Sequence, residues 1–175
     1  MLGINVFIKR TNNMKKFNFE LIFKLVDNQN SNEYLDVLFE NGCDDATIST
    51  GQLGMLSLSF TREAISAAEA VESAINDIKK AIPSAKLVEA TPDIVSISEI
   101  SSILGHSRQY TRKLFNSDNS SLPAPIHIGN PSIWHLSEIL DWLKSLGKQE
   151  NKINENLFEL SHITRQINIK RQLEA

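Results

Sequence analysis

Residues Ile97 to Phe115, ISEISSILGHSRQYTRKLF, decide how the rest of the chain is read, because two short helical patterns meet there at a glycine. In the first, Ile97, Ile100, Ile103 and Leu104 recur at the three- and four-residue steps that place side chains on one helical face. Ser96 and Glu99 have the S-x-x-E spacing of a capping box, in which the hydroxyl accepts from a backbone N–H three residues on and the carboxylate reaches back to another. Gly105 stops the helix, since helix ends commonly turn through positive φ and glycine does so without steric cost. Ser107 can cap the second helix, where Arg108, Gln109, Tyr110, Thr111, Arg112 and Lys113 precede the apolar Leu114 and Phe115. A helix-turn-helix of this kind can set its second helix into the DNA major groove, although the same order also makes plain helical hairpins with a solvated basic face.

The residues that follow favour the first reading. Leu122 to Ile128, LPAPIHI, reads as a short strand whose prolines suit an edge, Gly129-Asn130-Pro131 as a turn, and Ser132 to Leu136 as the returning strand of a β-hairpin. A third helix runs from about Ser137, with Leu136, Ile139, Leu140, Leu143 and Leu146 at helical spacing and Gly147 at its end. Trp134 and Trp142 flank this helix where a small domain needs bulk, and are expected in its core. Helix, turn, helix, hairpin, helix is a winged-helix order.

From about Asp93 to Leu146 the chain resembles the winged helix-turn-helix domains of the MerR superfamily, especially the AlpA-like and excisionase-like DNA-binding proteins. The resemblance rests on ISEISSILGHSRQYTRKLF, on the strand LPAPIHI with its paired prolines, and on IWHLSEILDWL. It implies that Ser107 to Lys113 faces the major groove while the hairpin around His127 to Ser132 reaches the adjacent backbone or minor groove. This wing departs from the pattern in lacking Lys and Arg: its polar contacts are His127, Asn130 and Ser132, so strong phosphate binding by the wing is not expected. The resemblance covers under a third of the chain.

In the N-terminal half, Phe17, Phe19, Leu21, Phe23 and Leu25 alternate with mostly polar residues, the period of a strand with one buried face. Asn28 to Ser31 breaks it and caps a helix whose inner side is Tyr34, Leu35, Leu38 and Phe39, closed by Gly42. Strands are expected over Asp45–Thr50 and Met55–Phe60, joined by a Gly51-Gln-Leu-Gly54 loop. A longer helix opens at Ser66 with Ala68, Val71, Ile75, Ile78 and Ile82 as its stripe, and Ala85 to Ala90 is the last strand. The β-α-β-β-α-β order is the ferredoxin-like pattern, in which two helices cover one face of a four-stranded antiparallel sheet. The fold class is therefore α+β: residues 16–92 a ferredoxin-like regulatory or dimerisation domain, 93–147 the winged helix-turn-helix, and 148–175 a C-terminal amphipathic helix.

That last helix, expected from Ile153 to Leu173 after a charged linker at Lys148–Lys152, carries the apolar stripe Ile153, Leu157, Leu160, Ile163 and Ile167, which needs cover from the first domain or a second chain. At the other end, residues 1–15 are expected to be a flexible segment, with Met14 an alternative translation start. The apolar MLGINVFIKR has no preceding positive charge and no cleavage site, so it fails as a signal peptide, and it is too short to span a bilayer.

The net charge of −3 conceals an uneven layout. Residues 17–92 carry 5 basic and 12 acidic side chains, residues 1–16 carry +4, and residues 93–175 balance at 9 each. Within Ser107 to Asn116 three positive charges stand without an acid, so the cationic surface is local and can neutralise few phosphates.

The chemistry of catalysis is missing from the pattern. One cysteine, Cys43, excludes a disulfide framework and a multi-thiolate zinc site, and points to a reducing cytoplasm; the neighbouring acids Asp44 and Asp45 should raise its pKa and themselves make a turn. His106, His127, His135 and His162 are scattered, His106 alone placed to meet a phosphate and the others expected at the surface. GQLG lacks the lysine and following helix of a phosphate loop. No enzyme activity, cofactor or metal is expected. The expected function is a sequence-specific transcriptional regulator binding double-stranded DNA as a homodimer. Arg108 and Gln109 would read bases, and His106, Ser107, Tyr110, Arg112, Lys113, His127 and Asn130 would complete the contact. The alternative is an antitoxin-like or adaptor module that holds a protein partner and autoregulates through DNA.

Overall fold

A computed structural model describes residues 13–26, 31–49, 52–117, 121–147 and 153–174. The alternation around FNFELIFKL yields β1 (Lys15–Lys24), with Phe17, Phe19, Leu21 and Phe23 buried and Asn18 and Lys24 exposed. β1 thus begins within the segment expected to be flexible, of which residues 1–12 lie outside the described ones. So do residues 28–30 of the expected break, Thr50 and Gly51 of the expected loop, and the 148–152 linker.

A 3-10 turn (Ser31–Tyr34) leads into α1 (Leu35–Glu40). Leu38 is fully buried and Tyr34 packs on the core, but Leu35 and Phe39 are 38% and 66% exposed, contrary to expectation. The helix has fewer than two turns, too short to lay four residues on the sheet. Gly42, at φ 96, then turns the chain toward β2 (Ala46–Ser49). β3 (Met55–Ala64) runs four residues past its expected end, because its inward positions continue through Arg62 and Ala64. A charged inward residue had hidden the alternation.

Ser66 caps α2 (Ala67–Ala81), accepting from the Glu69 N–H at 3.2 Å. The buried stripe is Ala67, Ala70, Val71, Ala74 and Ile78, rotated from the expected one toward small residues that let the helix sit close to the sheet. β4 (Lys86–Thr91) completes a four-stranded sheet in the order β2-β3-β1-β4, with every neighbouring pair antiparallel. Phe19 pairs with Phe60 in register, their rings stacked at 5.1 Å. The opposite sheet face is polar: Ser57 donates to Glu20, and Thr61 to Asn18 at 3.0 Å.

The second half builds a separate core. β5 (Ile94–Ser96) pairs antiparallel with β6 (Ile133–His135), placing Val95 opposite Trp134. Between them lie α3 (Ile97–Leu104) and α4 (Arg108–Ser117), and α5 (Leu136–Ser145) follows β6 directly. Ile100, Leu114, Phe115, Leu136, Ile139, Leu140 and both tryptophans are buried together, with Phe115 meeting each indole edge-on at 5.5–5.6 Å. The strand expected over Leu122–Ile128 is not formed. One bridge, His127 to Ile133, is all that remains of the hairpin, and the returning strand pairs with β5 instead. Pro123 and Pro125 have no N–H to offer a ladder. The two tryptophans pin this segment: Trp134 Nε1 donates to the Pro123 carbonyl at 3.1 Å and Trp142 Nε1 to Ser121 Oγ at 3.0 Å.

α6 (Glu155–Leu173) joins the two cores. Leu160, Ile163 and Ile167 pack into the first, with α6 beside α2, so three helices rather than two cover the sheet. Ile153, Leu157 and Phe158 pack into the second. Polar links reinforce both ends. Glu159 accepts from the Ala67 N–H at 2.8 Å and from Lys15 at 3.0 Å, and Arg165 donates to Glu138 at 2.6 Å. The stripe expected to need a partner is covered within the chain. No helix among the described residues is long and apolar enough to cross a membrane.

Candidate nucleic-acid interface

The geometry around Gly105 follows from local sequence. Ser96 and Glu99 form the full capping box: Glu99 accepts from the Ser96 N–H at 2.7 Å while Ser96 Oγ accepts from the Glu99 N–H at 3.4 Å. Gly105 adopts the left-handed conformation, φ 67, and the His106 N–H returns to the Ser101 carbonyl at 2.9 Å, turning the chain tightly into α4. Ser107 Oγ accepts from the Tyr110 N–H at 3.1 Å, the cap read from the sequence. Between the helices, buried Ser101 Oγ and Thr111 Oγ1 lie 2.9 Å apart, which fixes how α4 rolls against α3.

That roll decides what α4 shows to solvent. Thr111, Leu114 and Phe115 point into the core. Arg108, Gln109, Arg112, Lys113 and Asn116 are exposed, and their spacing puts them on one contiguous face. Among the described residues no carboxylate pairs with Arg108, Arg112 or Lys113, in contrast to Lys15, Arg62, Lys144 and Arg165, which all have acidic partners. Tyr110, 38% exposed, flanks the face with its ring against His106 at 4.6 Å. Of the nine expected contact residues, seven lie at the α3–α4 corner, namely His106, Ser107, Arg108, Gln109, Tyr110, Arg112 and Lys113, while His127 and Asn130 stand apart.

The wing residues are exposed, but no hydrogen bond or ring contact links His127 or Asn130 to α4. The tip is apolar. Ile128 is 84% exposed and Ile126 44%, a feature legible in the alternate isoleucines of LPAPIHI.

Two of the histidines expected at the surface lie against carboxylates. His135 Nδ1 lies 2.7 Å from Asp93 Oδ1, an aspartate only 1% exposed, and His162 Nε2 lies 3.1 Å from Asp141 on α5. Asp45, expected merely to make a turn, holds Arg62 through two hydrogen bonds of 2.7 and 2.9 Å. Arg62 also reaches Asp77 at 2.9 Å and the Gly42 carbonyl at 2.7 Å. Burial opposes its charge, but Asp45 and then Asp77 more than offset that, raising its pKa above the usual value. Cys43, beside this cluster and buried, is pushed up to about 11, chiefly by burial and then by Asp77. It is no nucleophile at neutral pH. Among the described residues no three His, Cys, Asp or Glu side chains come together as a metal site.

Comparison with known proteins finds no matching family model, no matching curated protein and no matching solved structure, so the α3–α4 corner stands on its own geometry.

Proposed function

We propose that the chain is a sequence-specific DNA-binding protein, acting as a transcriptional regulator, with α4 as the helix that enters the major groove. The observation that carries this reading is the exposed face of α4, where Arg108, Gln109, Arg112 and Lys113 project without acidic partners among the described residues from a helix whose other side is locked into a core. Cations on an otherwise acidic protein are usually neutralised by its own carboxylates, and these are left for an external polyanion. Arg108 and Gln109 stand at the helix start, where side chains meet base edges; arginine suits guanine and glutamine suits adenine. Arg112 and Lys113, one turn later, suit the flanking phosphates.

The order α3, turn, α4, a loop closed by the single His127–Ile133 bridge, α5 supports the winged helix-turn-helix reading of MerR-superfamily type, with a reduced wing that brings isoleucine rather than charge to the groove. The β1-α1-β2-β3-α2-β4 order and the β2-β3-β1-β4 strand sequence support a ferredoxin-like first half. One α4 neutralises few phosphates, so we read the active species as a homodimer on two half-sites. Because the apolar stripe of α6 packs within the chain, the dimer contact is read elsewhere; the exposed Leu35 and Phe39 of α1 are one apolar pair among the described residues that could serve it.

Binding-site selection from random duplexes tests the reading. Enrichment of one motif supports it, and a two-fold repeat of that motif supports the dimer. Failure to enrich any sequence rejects it and leaves the protein-interaction module.

A further inference from the structure

The first half is acidic overall, yet five cations gather in one cleft between α2, β4 and the last turns of α6: Lys24, Lys79, Lys86, Lys170 and Arg171. The described lining holds only two carboxylates, Glu72 and Glu174, and the single ion pair among these groups is a loose one, Lys170 to Glu174 at 3.9 Å. Lys24, Lys79 and Lys86 have no hydrogen-bonding or ionic partner among the described residues. Arg171 Nε is buried and makes no hydrogen bond there either; Glu89 feels the guanidinium's charge without bonding to it. A buried guanidinium N–H without an acceptor is uncommon in folded proteins, and like charges brought together repel unless something of opposite sign joins them.

The cleft has a second character. Ile75, Leu87 and Ile167 are part of its lining, and its volume of about 910 Å³ far exceeds what an inorganic ion would fill. Pockets that take small organic molecules span about 300–1,000 Å³ and combine an apolar lining with a few convergent polar groups.

We propose that this cleft binds an organic anion, its carboxylate or phosphate head held by Arg171 with Lys86 and Lys170, and its apolar body lying on Ile75, Leu87 and Ile167. The cleft is on the sheet half and its ligand is independent of what α4 contacts. Both head groups supply the acceptors the guanidinium lacks, and arginine takes either through paired N–H groups.

Calorimetric titration of the full chain with decanoate and with phenyl phosphate distinguishes the two head groups, and inorganic phosphate serves as the head alone. Saturable binding of at least one organic anion, with one site per chain, is the expected result. Its affinity falls about tenfold in Arg171→Gln and in Lys86→Gln. Lys80→Gln removes the same charge from a side chain paired with Asp77 outside the cleft lining, and leaves the affinity unchanged. Lys86 is exposed, so that variant retains the fold if Arg171→Gln does not. Absence of saturation with both organic anions up to about 10 mM overturns the proposal. So does equal weakening by Lys80→Gln, which would mark non-specific charge attraction, and so does inorganic phosphate binding as tightly as phenyl phosphate, which would remove the apolar body's role.

Discussion

Asn168, on α6, donates from Nδ2 to Asp93 Oδ2 at 2.8 Å, and both side chains are almost fully buried. The same amide group bonds the Ala90 carbonyl and accepts from the Ala90 N–H, each at 2.8 Å, so one side chain satisfies the end of β4 and the aspartate that begins the second core. Asp93 in turn holds His135 and, through its backbone carbonyl, the Leu136 N–H at 2.6 Å. Replacing Asn168 with Ala leaves a buried carboxylate oxygen and a backbone pair short of partners. It should cost about 1–3 kcal/mol, read as a lower urea midpoint, and the loss should appear in both cores at once.

Arg62→Met removes the cation from a cluster that contains two carboxylates. A fully buried pair broken in this way costs about 3–5 kcal/mol; Asp45 and Asp77 keep 29% and 20% of their side-chain surface, so water relieves them and about 2–3 kcal/mol is expected. The double variant Arg62→Met with Asp77→Asn should recover part of that loss. Chemical denaturation of the three proteins measures it.

On DNA the two ends of α4 should behave differently. Arg108→Ala should lower affinity for the selected site by about 1–3 kcal/mol and spare random duplexes, whereas Lys113→Ala should weaken every duplex alike and reduce the salt dependence of binding by about one ion. Equal losses on selected and random DNA for Arg108→Ala would remove its role in reading bases.

Cys43 supplies a test at alkaline pH. Its folded pKa, about 11 against an ordinary 9.0, lies above the unfolded value, so the fold favours the protonated thiol. That contribution is complete below about pH 9 and is lost as pH rises through 11. Stability measured between pH 8 and 11 should fall less steeply in Cys43→Ala than in the parent. At pH 8 the native thiol should alkylate at least about 100-fold more slowly than the unfolded one.

Glu89 follows the same charge logic at lower pH. Burial first, and then the charge of Asp93, raise its carboxyl above the ordinary 4.5, with Arg171 opposing. The folded state therefore holds this proton more tightly than the unfolded state does, and the ionised form works against folding at neutral pH. Glu89→Gln should raise the thermal midpoint at pH 7, with the gain disappearing as pH falls through the raised pKa toward 4. An equal gain at both pH values would assign the effect to packing instead.

What could be read from the sequence was what is local in it. The Ser96–Glu99 box, the Gly105 turn and the Ser107 cap each close within a few residues, and all three form as read. The inward alternation of β1 was visible because its inward residues are phenylalanine and leucine. Arg62 occupies the same kind of position on β3 and disguised the strand, since the acids that make it tolerable there lie 15 and 17 residues away in sequence. Asp93, His135 and Asn168 were invisible as a group for the same reason: 42 and 75 residues separate the aspartate from its partners. The hairpin is not legible in this way: Ile133 to His135 can pair with LPAPIHI or with the three residues before α3, and only the latter have a full set of N–H donors, so LPAPIHI keeps the single His127–Ile133 bridge.

The placement of α6 also governs the order in which the protein can assemble. Lys15 meets Glu159 across 144 residues and Asn156 reaches the Lys16 carbonyl across 140. During synthesis the sheet emerges with part of its apolar face uncovered, and remains so until the second core and the helix beyond it have left the ribosome. Contacts that close so large a loop pay their entropy late, which makes docking of α6 the expected slow step and the half-built sheet the species most in need of protection in the cell.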